Sequence, residues 1–161
     1  QWRHYVDAWP GVEGVLAPPV ALIYLRREDV AAQAVSLHAA EATGVWGFDG
    51  APTTPPAPAR FGDLAAVAAC ERRLRADDRA WRAFFARRGA DPVAMAYEEL
   101  VRDQPGAVER VARAVGLAPG AYTVPPPEPR ENRARSEVAA AGLLADYRAY
   151  RADRPDPSDE A

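Results

Sequence analysis

Apolar residues run without interruption from Val20 to Leu25, entered from Pro18 and Pro19 and closed by Arg26 and Arg27. An unbroken run of this length predicts a buried parallel strand. The pattern then changes period. Glu28 and Asp29 suit the first turn of a helix, Val30, Ala34 and Leu37 return at helical spacing, and Gly44 supplies a stop. A longer helix is predicted from about Asp63 to Arg88, where Leu64, Val67, Leu74, Trp81 and Phe85 form a stripe interrupted by Glu71 and Asp78. Local ion pairs with Arg75 and Arg82 account best for those two acids, ahead of pairing with a partner subunit or lining an acceptor cleft that grips sugar hydroxyls. Pro92 to Leu117 then reads as a strand followed by an amphipathic helix ending in Gly-Leu, and Leu144, Tyr147 and Tyr150 share one face of a C-terminal helix. Strands and helices alternate, which makes the fold class α/β. Proline-rich stretches at 51–59 and 125–129 connect elements, and residues 152–161 read as a disordered acidic tail.

The junction between the first strand and its helix carries the most specific chemistry. A strand ending in arginine delivers guanidinium groups to the carboxyl edge of a sheet, where open α/β folds place their ligands. The next helix begins there with unpaired amide donors and a favourable dipole, so phosphate is the natural guest. Ser36 lies seven residues beyond Asp29, roughly 10 Å along the helix axis. Only a ligand lying beside the helix can touch both that hydroxyl and an arginine. The purely structural alternative pairs one arginine with Glu28 or Asp29 and leaves Ser36 bonded back to its own helix.

A strand ending in arginine and a helix bearing serine nine positions beyond Arg27 resemble the 3′-phosphate motif of sulfotransferases that use 3′-phosphoadenosine 5′-phosphosulfate. The wording LRREDVAAQAVSL is similar to the bacterial family typified by trehalose 2-sulfotransferase. That resemblance implies that Arg27 and Ser36 hold the 3′-phosphate of the donor, with Arg26 sharing or replacing the arginine contact. A second block agrees. Trp81 to Phe85 and Pro92 to Leu117 contain Tyr97, Glu98, Glu99 and Leu100, which resemble the Tyr-Glu-Asp/Glu-Leu element at the end of a strand in these enzymes. By resemblance Tyr97 borders the adenine, while as a packing residue it is a half-buried core tyrosine. Family members also end in an arginine-containing turn and a final helix, and by that resemblance Arg130, Arg133 and Arg135 either reach the same phosphate or, as the pattern favours, form a solvated face.

The fold implied by the resemblance is a three-layer, P-loop NTPase-related parallel sheet flanked by helices, lacking its N-terminal strand, phosphosulfate loop and helix. Residues 1–19 resemble the segment immediately before the arginine strand, so residues 1–151 are expected to form a partial sulfotransferase domain. The implied reaction moves a sulfuryl group to a hydroxyl of a trehalose-like carbohydrate or other small-molecule or glycolipid acceptor. A homodimer is the implied assembly, with Trp46 and Trp81 as candidate interface aromatics. Such a transfer needs a base for the acceptor proton. In the trehalose-type branch that base is a glutamate upstream of the residues here. His4 is a candidate because it precedes Arg27 by a distance comparable to the histidine base of animal-type enzymes; otherwise it packs beside Trp2 and Tyr5. His38, two places after Ser36, is expected at solvent or an interface.

Composition narrows the remaining options. The 161 residues, 48% hydrophobic and 27% charged, suit one soluble domain. A net charge of −3, with acids interspersed among the arginines, argues against a nucleic-acid surface. All 20 basic residues are arginine, which excludes a Walker lysine, a Schiff-base lysine and the bridging-oxygen lysine of many animal sulfotransferases. Arg3 or Arg26 would take the last role. Cys70 is the single cysteine, so no internal disulfide or thiolate metal cluster forms, and two isolated histidines provide no metal spacing. Prolines break the apolar stretch before Leu25, which is too short to cross a bilayer, and cytoplasm is the expected compartment. Two rival functions stand beside the sulfotransferase: a nucleotide-kinase-like phosphotransferase and a non-catalytic protein-interaction domain.

Overall fold

The computed structural model describes residues 21–44, 62–118, 120–124 and 133–154, with residues 133–140 described by backbone alone. His4, Arg3, Trp46, Arg130, both proline-rich stretches and residues 155–161 lie outside the described residues. The elements follow as β1 (Ile23–Arg26), α1 (Val30–Thr43), α2 (Leu64–Arg88), β2 (Val93–Ala96), α3 (Tyr97–Arg102), α4 (Gln104–Ala114) and α5 (Arg133–Ala152). Described residues up to Glu28 and from Phe85 to Val124 form one compact unit; those from Asp29 to Phe84 and from Arg133 form a second.

In the first unit β1 and β2 pair in parallel, Ile23 opposite Val93 and Arg26 opposite Ala96. The Val93 N–H extends the ladder to the Leu22 carbonyl at 2.8 Å. An α/β unit with a small parallel sheet agrees with the sequence expectation, but β1 is shorter than the apolar run and is not buried. Ile23 is 47% and Leu25 51% exposed, while Tyr24 is half-buried with its ring edge-to-face to Phe85 at a centroid distance of 5.3 Å. Hydrophobic character describes what a strand can bury; coverage of each face decides what it does bury. On the partner strand Met95 and Ala96 are buried.

Helix α3 starts at Tyr97 directly after β2, with Glu98 and Glu99 in a first turn whose partial positive charge favours acids. Asp103 closes this short helix by donating its N–H to the Glu99 carbonyl at 2.9 Å, then opens α4 by accepting from the Gly106 N–H at 3.0 Å. A Cβ at Gly106 would stand 2.2 Å from Asp103 Oδ2. The glycine therefore lets the cap close. At the other end Gly116, at φ +77°, allows the Leu117 N–H to reach back to the Ala112 carbonyl at 2.8 Å. The expected Gly-Leu terminus is thus a hydrogen-bonded helix stop.

In the second unit, Ala31, Ala34 and Val35 of α1, Val67 and Cys70 of α2, and Leu143 and Tyr147 of α5 form one core, with Leu37, Leu74, Leu144 and Tyr150 packed against it. Asp29 caps α1 by accepting from the Ala32 N–H at 2.9 Å, and its other oxygen accepts from Arg148 at 2.6 Å. Gly44 ends α1 with its N–H on the Ala40 carbonyl.

Three details depart from expectation. The buried stripe of α2 runs through Val67, Cys70, Glu71 and Phe84, and Trp81 is 37% exposed. Phe84, one position before the residue read into the stripe, fills the inward site. His38 is buried on α1 rather than facing solvent, because it falls on the same side of the helix as Ala31, Ala34 and Val35. Glu71 is a buried carboxylate: it accepts from Arg75 Nε at 2.9 Å and Nη2 at 2.7 Å, as expected, and from the Tyr147 hydroxyl at 2.6 Å. Arg151 adds a contact at 3.4 Å. Burying an unpaired carboxylate would cost several kcal/mol, and these partners answer its charge. Burial, then the bond to Glu71, raises the Tyr147 hydroxyl above its ordinary pKa. Asp78 pairs with Arg82 at 2.7 Å on the surface.

Candidate functional site

Parallel pairing in register sends the chain out of β1 and β2 at the same edge. Because Arg26 lies opposite Ala96, the next residues, Arg27 and Tyr97, leave the sheet side by side at its carboxyl end. The Arg27 guanidinium carbon lies 4.5 Å from the centroid of the Tyr97 ring, within the range of a cation–π contact. Glu98 flanks the same guanidinium, with Oε1 at 4.0 Å from Arg27 Nε. Its other oxygen, Oε2, accepts from the Glu28 backbone N–H at 3.0 Å.

Arg27 Nε is buried and has no hydrogen-bond partner. Its charge is met by a carboxylate just beyond hydrogen-bond reach and by an aromatic face. A planar guanidinium held this way at a sheet's carboxyl edge fits a phosphate-bearing ligand, since two further nitrogens can donate in parallel to one anion. Arg26 is more exposed and lies 3.8 Å from Glu28. The local pairing considered for one of the two arginines is therefore the arrangement of Arg26.

Glu99 is engaged by a different arginine. It takes a two-pronged bond from Arg110, at 2.7 and 2.9 Å, tying α3 to α4. That hydrogen bonding holds the Glu99 carboxyl below the usual carboxylate range. Ser36 is exposed on α1, within the second unit. Arg133 and Arg135 lie in the first turn of α5. The structure thus brings Arg27 and Tyr97 together and adds Glu98, to which the sequence reading assigned no task. An acid directly after the tyrosine, at the carboxyl end of a strand parallel to one ending in arginine, is the signal that could have found it.

Among the described residues no group of three or more His, Cys, Asp and Glu could hold a metal ion. No helix among them is long and apolar enough to cross a membrane.

A parallel strand pair presents arginine and tyrosine at one edge, and comparison with known proteins gives the chain a family. Residues 7–141 match the family model described as Stf0 sulphotransferase, and the chain belongs to that family. Over 126 residues it is 32% identical to trehalose 2-sulfotransferase of Mycobacterium tuberculosis, an alignment covering 78% of this chain and 46% of that enzyme. The chain spans about half the length of this curated relative.

Proposed function

We propose that residues 1–151 belong to a sulfotransferase domain that uses 3′-phosphoadenosine 5′-phosphosulfate and transfers its sulfuryl group to a hydroxyl of a trehalose-like carbohydrate. Family membership and the relative's trehalose 2-sulfotransferase activity support the reaction class and the acceptor. The donor supplies the activated sulfuryl group. This chain's residues supply recognition of its nucleotide end: Arg27 donates to the 3′-phosphate, Ser36 shares that phosphate through its hydroxyl, and Arg26 is the second cation. Tyr97 stands beside the adenosine.

The observation that carries this reading is the Arg27 guanidinium, stacked on Tyr97 at the carboxyl edge of a parallel pair. Arginine suits the task because it stays charged at any working pH and matches phosphate with paired donors. A doubly charged 3′-phosphate is the group such a fork discriminates best, since an ionised acceptor makes the stronger paired hydrogen bonds.

Calorimetry with adenosine 3′,5′-bisphosphate tests the assignment. Arg27→Ala combined with Ser36→Ala is expected to abolish binding while circular dichroism stays that of the parent chain. Unchanged affinity would reject the pair as the phosphate site. In a thermal-shift screen the 3′-phosphorylated nucleotide should stabilise the chain more than ATP does, since stabilisation follows occupancy. Preference for ATP would favour a kinase-like activity, and no nucleotide effect would favour a protein-interaction domain.

A further inference from the structure

We propose that Glu98 is a positioning residue for Arg27, holding the guanidinium in the one orientation that accepts a phosphate; this rests on the assignment of Arg27 to the 3′-phosphate. The carboxylate divides its two oxygens. Oε2 accepts from the Glu28 N–H at 3.0 Å, tethering the backbone immediately after Arg27. Oε1 stands 4.0 Å from Arg27 Nε, a buried nitrogen that lacks a hydrogen bond. One carboxylate therefore meets both the main chain, by a hydrogen bond, and the side-chain charge of the arginine segment.

Tyr97 completes the restraint. Its ring, 4.5 Å from the guanidinium carbon, sets the plane of the fork, and Glu98 sets the rotation within that plane. Neither contact uses the two terminal nitrogens, which are the paired donors a phosphate requires. A free arginine side chain carries much rotamer freedom, so restraining it before the ligand arrives removes part of the ordering cost of binding.

The neighbouring charges are already engaged elsewhere. Glu99 is bound by both terminal nitrogens of Arg110, and Glu28 lies against Arg26 at 3.8 Å. Of the two consecutive acids after Tyr97, only Glu98 therefore serves Arg27.

The sign of the effect separates positioning from simple charge. A carboxylate beside an anion site repels the anion, so if Glu98 acted through charge alone its removal would tighten phosphate binding. Positioning predicts the opposite. In calorimetry on the full chain, Glu98→Ala is expected to weaken adenosine 3′,5′-bisphosphate by about tenfold, the size of one coupled contact, and to leave adenosine 5′-phosphate unchanged. Glu98→Gln keeps an oxygen for the Glu28 N–H and should recover part of the loss. In an Arg27→Ala background, Glu98→Ala should add nothing. Tighter bisphosphate binding by either Glu98 variant, equal losses for both nucleotides, or additive losses in the double variant would overturn the proposal. If Arg27→Ala itself leaves the preference for the bisphosphate intact, the phosphate assignment fails first, and the two failures are told apart.

Discussion

The Tyr147 hydroxyl donates to Glu71 Oε2 at 2.6 Å in a buried setting, joining α5 to α2 across 76 positions of sequence. The bond places a neutral donor against a carboxylate that two arginines also contact. Tyr147→Phe keeps the ring in the core and deletes only the hydroxyl. It should lower stability by roughly 1.5–3 kcal/mol, the range for a hydrogen bond to a charged group. Urea unfolding checks this, with an unchanged midpoint excluding a stabilising role.

The same bond makes stability sensitive to alkali. Burial first, then the hydrogen bond to Glu71 and its charge, raise the Tyr147 hydroxyl above its ordinary value of 10.0. Above that value the unfolded chain releases the phenolic proton while the folded chain keeps it, so folding becomes less favourable as pH rises. Tyr147's contribution should be complete below pH 10 and lost as pH climbs through the higher folded-state value. Unfolding curves of the parent and Tyr147→Phe should converge over that window. A difference that stays constant would contradict the linkage.

Gly106→Ala should destabilise the chain by about 1 kcal/mol, the worth of one helix N-cap. Replacing a helical glycine with alanine ordinarily stabilises. Here the added methyl would meet Asp103 Oδ2 at 2.2 Å, and moving that carboxylate breaks its bond to the Gly106 N–H. Thermal unfolding of Gly106→Ala beside Asp103→Ala provides the check, since both should lose the same cap. A more stable Gly106→Ala would show that the carboxylate relocates without loss.

Cys70 should react slowly with Ellman's reagent while the chain is folded and quickly in urea. The thiol is buried, and burial, reinforced by the charge of Glu41, pushes its pKa up from the ordinary value of 9.0. Its sulfur lies 3.6 Å from Glu41 Oε2. Only the thiolate reacts. Glu41→Gln removes one of the two causes and should speed labelling; equal rates for parent and variant would leave burial as the sole protection.

Local cues made several elements legible. Gly44 stops α1 where its backbone freedom placed the end, and Gly116 with Leu117 closed α4 as that pair predicts, while Asp29, read into the first turn, stands just before it as the N-cap. These signals act within a few residues, so the chain carries them whatever it packs against. Arg27 and Tyr97 were also identifiable as site candidates, since each follows a strand directly and the family motifs mark both positions.

What lies between distant residues was decided by tertiary structure. The exposure of Ile23 and Leu25, the burial of His38 and the choice of Phe84 over Phe85 depend on which faces other elements cover. No local pattern encodes that. The shared carboxylate of Glu98 exists because two four-residue strands pair in parallel, in one register. A shift of one residue would send the tyrosine and the arginine to different levels of the sheet edge. Sequence alone determined which side chains are available to bind an anion. Folding determined that a guanidinium, an aromatic face and a carboxylate meet, because their approach is set by backbone hydrogen bonds between segments some 70 residues apart.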